Sequence, residues 1–277
     1  MRKSFIEVFH HYRCIVEKEN IKFNIDFNSP NSFELKEDIL NSKNKFFCKS
    51  FIDEQQNLID KNVFILDRDL SKKILIVYSK ENLKNIERLK KDYPDEIYHL
   101  IDNSNLESDV QKLLKAYDSN QRLSLIESLD KKITIEHFPR SRNDIDKVYF
   151  LLDYQLGKTI IPIYRNLDFG SKLFSNTKII HGANNINDLA DFESISLPVN
   201  KQMIKRITEK NDVTNIKSEL EKMLISDYLI LEKVKNNNFY ISEIYLSTGF
   251  ADINQNECVS RNIPMWKVDI NGLTDQI

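Results

Sequence analysis

Residues 133 to 166 read ITIEHFPRSRNDIDKVYFLLDYQLGKTIIPIYRN, three apolar runs separated by two polar gaps. His137, Arg140, Arg142 and Arg165 are the residues of this stretch whose types suit anion chemistry. A guanidinium fork matches two oxygens of a phosphate or carboxylate at once. The NLDFGSK that follows could open a short helix at Ser171, whose unpaired N–H groups would add to the same positive field. Asp144 and Asp146 are paired carboxylates of the kind that hold a divalent metal. Glu243, among the aromatics of FYISEIYL, is a carboxylate whose proton affinity apolar surroundings would raise. Combined, these residues suggest metal-dependent phosphodiester chemistry, with Asp144, Asp146 or Glu243 catalytic and His137, Arg140, Arg142, Arg165 and Ser171 binding the ligand. A plainer reading pairs Arg140 and Arg142 with Asp144 and Asp146 in a solvated turn, and the frequency of surface ion pairs favours it.

The elements expected to position these side chains are three strands at 133–138, 147–152 and 159–164, joined as an antiparallel meander. Such a meander places the loop at 139–146 and Arg165 at one end of the sheet, and Lys158 at the other, roughly 20 Å away for a six-residue strand. KVYFLLD is apolar on both faces, as a central strand should be. Pro162 cannot donate to a ladder, which sends the third strand to an edge.

Several chemistries are excluded by what the chain lacks. Only five glycines occur, and phosphate loops need glycine where the backbone turns sharply against the ligand. Gly157-Lys158-Thr159 imitates the end of a phosphate-binding loop, but Leu152 stands where its first glycine belongs. There is no G-x-S-x-G elbow for a serine nucleophile. Asp67, Asp69 and Lys72 miss the acid-x-lysine step of carboxylate-metal nucleases. The neighbours His10 and His11 point about 100° apart on a helix and so make a poor metal pair. His99 reads as a packed strand histidine, and His181 as a polar-loop residue.

Elsewhere the periodicities predict an opening amphipathic helix at 4–18, a strand in IKFNIDF and helix across 32–60. Strands are expected in NVFIL and KILIVY, a helix in SKENLKNIERLKKDYP and a strand in EIYHLI. Residues 73–101 thus form a βαβ unit with a right-handed crossover. Two helices follow within 106–129, then helices in KQMIKRI and NIKSELEKMLISDYLILEKV, and strands in FYISEIYL and PMWKVDI. The expected fold is α/β, with mixed sheets flanked by helices, the βαβ unit in the first half and an antiparallel meander in the second. The expected division is an α/β half at 1–130 and an α+β half at 131–277.

The formal charge of −2 argues against a nucleic-acid coat and leaves only a local anion patch. Cys14, Cys48 and Cys258 are scattered, without a CxxC pair, and suit free thiols in a reducing compartment. With no apolar stretch of membrane-spanning length, the sequence reads as cytoplasmic, soluble and free of the membrane. The leading expectation is an intracellular protein engaging a nucleotide or nucleic-acid backbone. Two alternatives are a nucleotide-sugar-dependent glycosyltransferase, and a non-catalytic interaction or self-assembling module using Phe239, Tyr240, Tyr245 and Trp266.

Overall fold

The computed structural model describes residues 23–25, 33–35, 47–101, 105–129, 136, 141–167, 170–199, 216–236, 243–253, 258–269 and 274–275. Its strands are β1 (Phe23–Ile25), β2 (Phe33–Leu35), β3 (Lys73–Tyr78), β4 (Ile97–Leu100), β5 (Ile145–Leu151) and β6 (Lys172–Ser175). They continue with β7 (Ile195–Pro198), β8 (Glu243–Tyr245), β9 (Phe250–Asp252), β10 (Ser260–Asn262), β11 (Met265–Lys267) and β12 (Thr274–Asp275). The helices are α1 (Phe51–Asp60), α2 (Leu83–Asp92), α3 (Leu106–Leu113), α4 (Ala116–Leu129), α5 (Tyr154–Leu167) and α6 (Ile216–Asn236). The protein is mixed α/β, as its sequence implies.

Seven strands form the main sheet in the order β12-β11-β7-β6-β5-β3-β4. β4, β3, β5, β6 and β7 run parallel, and β11 is antiparallel to both β7 and β12. In chain order the parallel strands stand 2-1-3-4-5, the doubly wound arrangement whose order reverses between β3 and β5. Strands from both sides of residue 130 therefore share one sheet. The β3-α2-β4 unit is the expected βαβ. Its strand KILIVY is buried from Ile74 onward, as a strand covered on both faces must be.

The meander expected at 133–166 is not there. Residues 133–135, 137 and 138 lie outside the described residues, β5 occupies the second run, and the third run is helical within α5. The reason is topological. β5 and β6 are parallel, so the chain must cross back between them, and a helix is the usual crossover. Gly157, Ile160, Ile161 and Tyr164 are buried at i, i+3, i+4 and i+7 spacing, a helical stripe that the alternating reading missed. Asp153 starts the helix by accepting a bond from the Leu156 N–H (2.9 Å), and Pro162 is tolerated inside it. An antiparallel meander does exist in the second half, as β8-β9-β10.

Two other local expectations change. NVFIL is not a strand: Lys61–Ile65 continues α1 as a π-helical turn, burying Val63 and Phe64 beside Ile59. Within 32–60, Phe33–Leu35 is a strand paired with Phe23–Ile25, and only Phe51–Asp60 is described as α-helix. The expected helices at 4–18 and 201–207 lie outside the described residues.

The sheet separates two cores. One face buries Leu75, Val77, Val148, Phe150, Leu173, Ile195, Leu197 and Trp266 with Ile160 and Tyr164 of α5 and Leu220 and Met223 of α6. The other buries Ile74, Ile76, Tyr149, Leu151, Phe174 and Met265 with Ile59 and Val63, and with Ile86 and Leu89 of α2. A third cluster joins Tyr228, Leu231 and Val234 of α6 to Ile244 and Ala251 of the small sheet and to Phe47 and Val259. The turn between β8 and β9 is held by the buried Asp227 carboxylate, which accepts from Ser247 N (2.6 Å), Thr248 N (3.1 Å) and Thr248 Oγ1 (2.5 Å).

Cys48 and Cys258 form a disulfide across 210 positions, which corrects the expectation of unpaired thiols. Spacing alone could not reveal it, because the fold brings the segments together: Phe47 bridges to Val259, and Cys48 N donates to Val259 O (3.0 Å). Beside the disulfide, Arg261 donates to Glu54 through Nη1 (2.8 Å) and through its backbone N–H (3.0 Å). Its guanidinium carbon lies 3.4 Å from the Phe47 ring centroid. Burial pushes the Glu54 carboxyl up, with Arg261 opposing the shift.

Candidate binding groove

The described residues singled out for chemistry do not gather in one place. His137 and Arg140 lie outside the described residues. Arg142 donates through Nε and Nη2 to Asp144, both at 2.6 Å, and its backbone N–H reaches Leu114 O (2.8 Å). Hydrogen bonding to the Arg142 guanidinium is the leading cause that holds the Asp144 carboxyl below the usual range. The ion-paired turn is therefore what stands at Arg142. Asp146 is skipped by the β3–β5 register and accepts a bond from Asp69 N (3.0 Å). Arg165 pairs with Glu193 (3.2 Å), and Lys158, two turns earlier on the same helix, with Asp191 (3.7 Å). Glu243 lies with Tyr245 on the solvent side of β8, leaving only Ile244 between them buried. Among the described residues, no three His, Cys, Asp or Glu side chains gather as a metal ion would need.

The doubly wound fold ordinarily binds ligands at the carboxyl ends of its strands, where the strand order reverses. Here that position is filled. Asn82 is buried against the ends of β3 and β5, its amide donating to Ser79 Oγ (3.1 Å) and Leu151 O (2.8 Å), while Ser79 N donates to the same carbonyl (3.2 Å). One strand further along, Ser175 Oγ donates to Phe150 O (2.7 Å) and Thr177 Oγ1 to the buried Gln55 (3.0 Å). These polar groups satisfy one another.

An open groove of about 850 Å3 lies elsewhere, on the sheet face that carries Phe174 and Met265. Its floor is made of Lys147 from β5, Lys172 and Phe174 from β6, Ser196 from β7, and Met265 and Lys267 from β11. Leu58, Asn62 and Leu66, on and just after α1, form one wall. Asn262, the last residue of β10, with Ile263 and Pro264 after it, forms another. Arg165, Gly170, Ser171 and Ser194 lie at the end nearest the starts of the strands. Two predicted residues, Arg165 and Ser171, thus do line one cavity, but without Arg142. Ser171 Oγ donates to Ile145 O (3.4 Å).

The register sets the spacing of the floor. Lys147 stands opposite Lys172, Phe174 opposite Ser196, and Ser196 opposite Lys267. The Lys147 side chain is buried, and its ammonium donates to the carbonyls of Asn62 (2.9 Å) and Leu66, satisfying acceptors that the end of the π-turn leaves open. Burial lowers its pKa, the Lys172 charge adds to that shift, and Asp146 and Asp67 oppose it. Lys147, Lys172 and Lys267 are ion-paired with no described residue, in contrast to Arg142 and Arg165. Asp67 is the one carboxylate among the described lining residues. The overlooked sequence signal was a lysine inside each of three apolar strands, IDKVYFL, KLFS and MWK.

No family model matches the chain, and no curated protein matches it. Solved structures do. The LpoA C-domain from Haemophilus influenzae, described as a regulator of PBP1A, is 10% identical over 80% or more of this chain (81%), with a TM-score of 0.40. A putative branched-chain amino acid ABC transporter protein from Chromobacterium violaceum is 11% identical over 78%, with a TM-score of 0.44. An extracellular ligand binding receptor from Desulfohalobium retbaense is 11% identical over 81%, with a TM-score of 0.44. The chain spans 65%, 63% and 39% of their respective lengths.

The intracellular phosphate-ligand expectation is corrected on the ion pairs and the disulfide of this chain, together with its nucleotide-binding, nucleic-acid-binding and nuclease forms. Arg142 and Arg165 are neutralised by their own carboxylates and stand in different places. The glycosyltransferase alternative fails because it needs a nucleotide cleft between two α/β halves, whereas strands from both sides of residue 130 pair in one sheet. The cytoplasmic assignment is withdrawn too, since free thiols were one of its grounds and two of the three cysteines are joined, while the lack of a membrane-spanning stretch names no compartment.

Proposed function

We propose that this chain is a non-catalytic recognition module that binds a polypeptide partner in the groove over β6, β7 and β11. The observation that carries the reading is the lysine-bearing, half-apolar floor, whose lysines pair with no described carboxylate, on a fold whose sheet is otherwise covered by helices on both faces. Small-ligand sites bury 70–90% of their ligand, and an open trough with two walls suits an extended chain better. The expected recognition role of Trp266 moves to structure, because its side chain is buried in the core on the opposite face. Tyr245 remains exposed, edge-on to Phe250, while Phe239 and Tyr240 lie outside the described residues. The Cys48–Cys258 bond suits an oxidising compartment.

Panning a random peptide library against the purified protein tests this reading. Enriched peptides should bind the parent and lose binding to Asn262→Trp, which places an indole at the exposed wall, with the melting temperature unchanged. A library that enriches nothing, or peptides that bind both proteins alike, would overturn it.

A further inference from the structure

We infer that the groove selects carboxylates, taking an extended segment with an acidic residue at one position, an apolar residue two further on and a second acidic residue two beyond that. This rests on the groove reading above and goes on to name the chemistry of the partner.

The first ground is charge. Among the described residues the lining holds Lys147, Lys172, Lys267 and Arg165 against Asp67, and Arg165 is already paired with Glu193. Lys147 spends two donors on the Asn62 and Leu66 carbonyls. Lys172, exposed, and Lys267, half-buried, are left as the cations on the floor with no described carboxylate partner. Complementary charge across such a surface steers association and rejects like-charged partners.

The second ground is spacing. Lys267 lies two strands over from β6, opposite Ser196, which is itself opposite Phe174, and Phe174 is two residues beyond Lys172. With strands about 4.8 Å apart and a rise of about 3.3 Å per residue, the two lysines are about 12 Å apart along a diagonal. An extended peptide repeats its side-chain direction every second residue, so positions i and i+4 are about 13 Å apart on one face. Position i+2 then falls between the lysines, where Phe174 offers an apolar contact and Ser196 makes room. Met265 extends that apolar surface beside Lys267.

A fluorescent peptide, Gly-Glu-Ser-Leu-Ser-Glu-Gly, measured by anisotropy at low salt, supplies the test. Its controls are the same peptide with both Glu replaced by Gln, and the isomer Gly-Glu-Glu-Ser-Ser-Leu-Gly. The first peptide should bind the parent at least about tenfold more tightly than either control, and Lys172→Glu or Lys267→Glu should each weaken it about tenfold. Both substitutions should leave folding intact, because Lys172 is exposed and Lys267 only half-buried, and thermal melts of the variants check this. Equal binding of the Glu and Gln peptides, with loss of both on Asn262→Trp, would sink carboxylate selection and leave the groove standing. Preference for Glu that survives both lysine substitutions would also sink it. If no probe binds and the library enriches nothing, the groove reading falls as well.

Discussion

Along β6, β7 and β11, Leu173, Ile195, Leu197 and Trp266 are sealed into a core with α5 and α6, while the alternate residues Lys172, Ser196 and Lys267 face an open trough. The same three strands meet opposite environments on their two sides. Parallel strands covered on both faces read as unbroken apolar runs, and β3 and most of β5 do. Where a strand in such a sheet alternates instead, the polar side marks a face that helices have left uncovered. Placement on one side or the other thus assigns neighbouring residues to stability or to recognition.

The largest expected effect lies in the groove's own frame. The disulfide fastens the segment before α1 to the segment that leads into the opposite wall. Replacing Cys48 and Cys258 with alanine should cost about 5 kcal/mol in the chain-entropy account of a loop this long. Urea unfolding of the double variant measures it, and a loss under about 1 kcal/mol would mean that the sealed core holds the walls unaided.

Adjacent positions on β11 make the sharpest contrast between the faces. Trp266→Ala should lose about 3–5 kcal/mol, as large-to-small changes in a packed core do, while Lys267→Ala next to it should stay within about 0.5 kcal/mol. Comparable losses at the two sites would erase the distinction drawn between the faces.

Acid should act through the sealed side. His181 adjoins Ile179, Ile180 and Ala183 in that core, and burial, with Lys217 and Lys178 nearby, pulls its pKa down to about 4. The unfolded chain takes up this proton near pH 6.5, so between the two values the unfolded state binds more protons. The contribution is complete above about pH 6.5 and is lost as pH falls toward 4, by roughly 3 kcal/mol. Glu54 and Asp227, both raised chiefly by burial, act in the opposite sense, because the folded protein protonates them first. His181→Gln should therefore flatten the acid-side decline in stability. Identical pH profiles for variant and parent would remove His181 from the account.

Lys147 tests the boundary between floor and wall. Lys147→Met keeps much of the side-chain volume but strips two carbonyls of a donor, and should cost about 1–3 kcal/mol. A neutral result in thermal unfolding would mean that water replaces the ammonium freely and that this end of the floor is already wet.

The β3-α2-β4 unit was legible in the sequence because its period changes cleanly from alternation to a helical stripe and back. The helix α5 was not, since TIIPIY is too short and too apolar to choose a period by itself, and Pro162 argued against helix. What decided it was the parallel pairing of β5 with β6, a long-range fact. The candidate site depended on the same long-range fact. The meander is what places Arg142 and Arg165 together, and with the third run a crossover helix they stand apart. Arg142 found Asp144 two residues away, a local pairing that the sequence did contain. Lys172 and Lys267 are 95 positions apart and become neighbours only through strand order. The signal available beforehand was weaker, a lysine interrupting an apolar strand, and such a lysine is ambiguous until the covering helices are known.

The Cys48–Cys258 bond makes one covalent ring of the chain between those residues. A single protease cut at the exposed end of α4, where Leu125 and Leu129 are open to solvent, would leave two pieces held together by sulfur. The nicked protein would keep its mass apart from one added water and would run as separate fragments only after reduction. Damage inside the ring is therefore survivable in a way that a linear chain does not allow, and both groove walls stay attached to each other after the backbone between them has been cut.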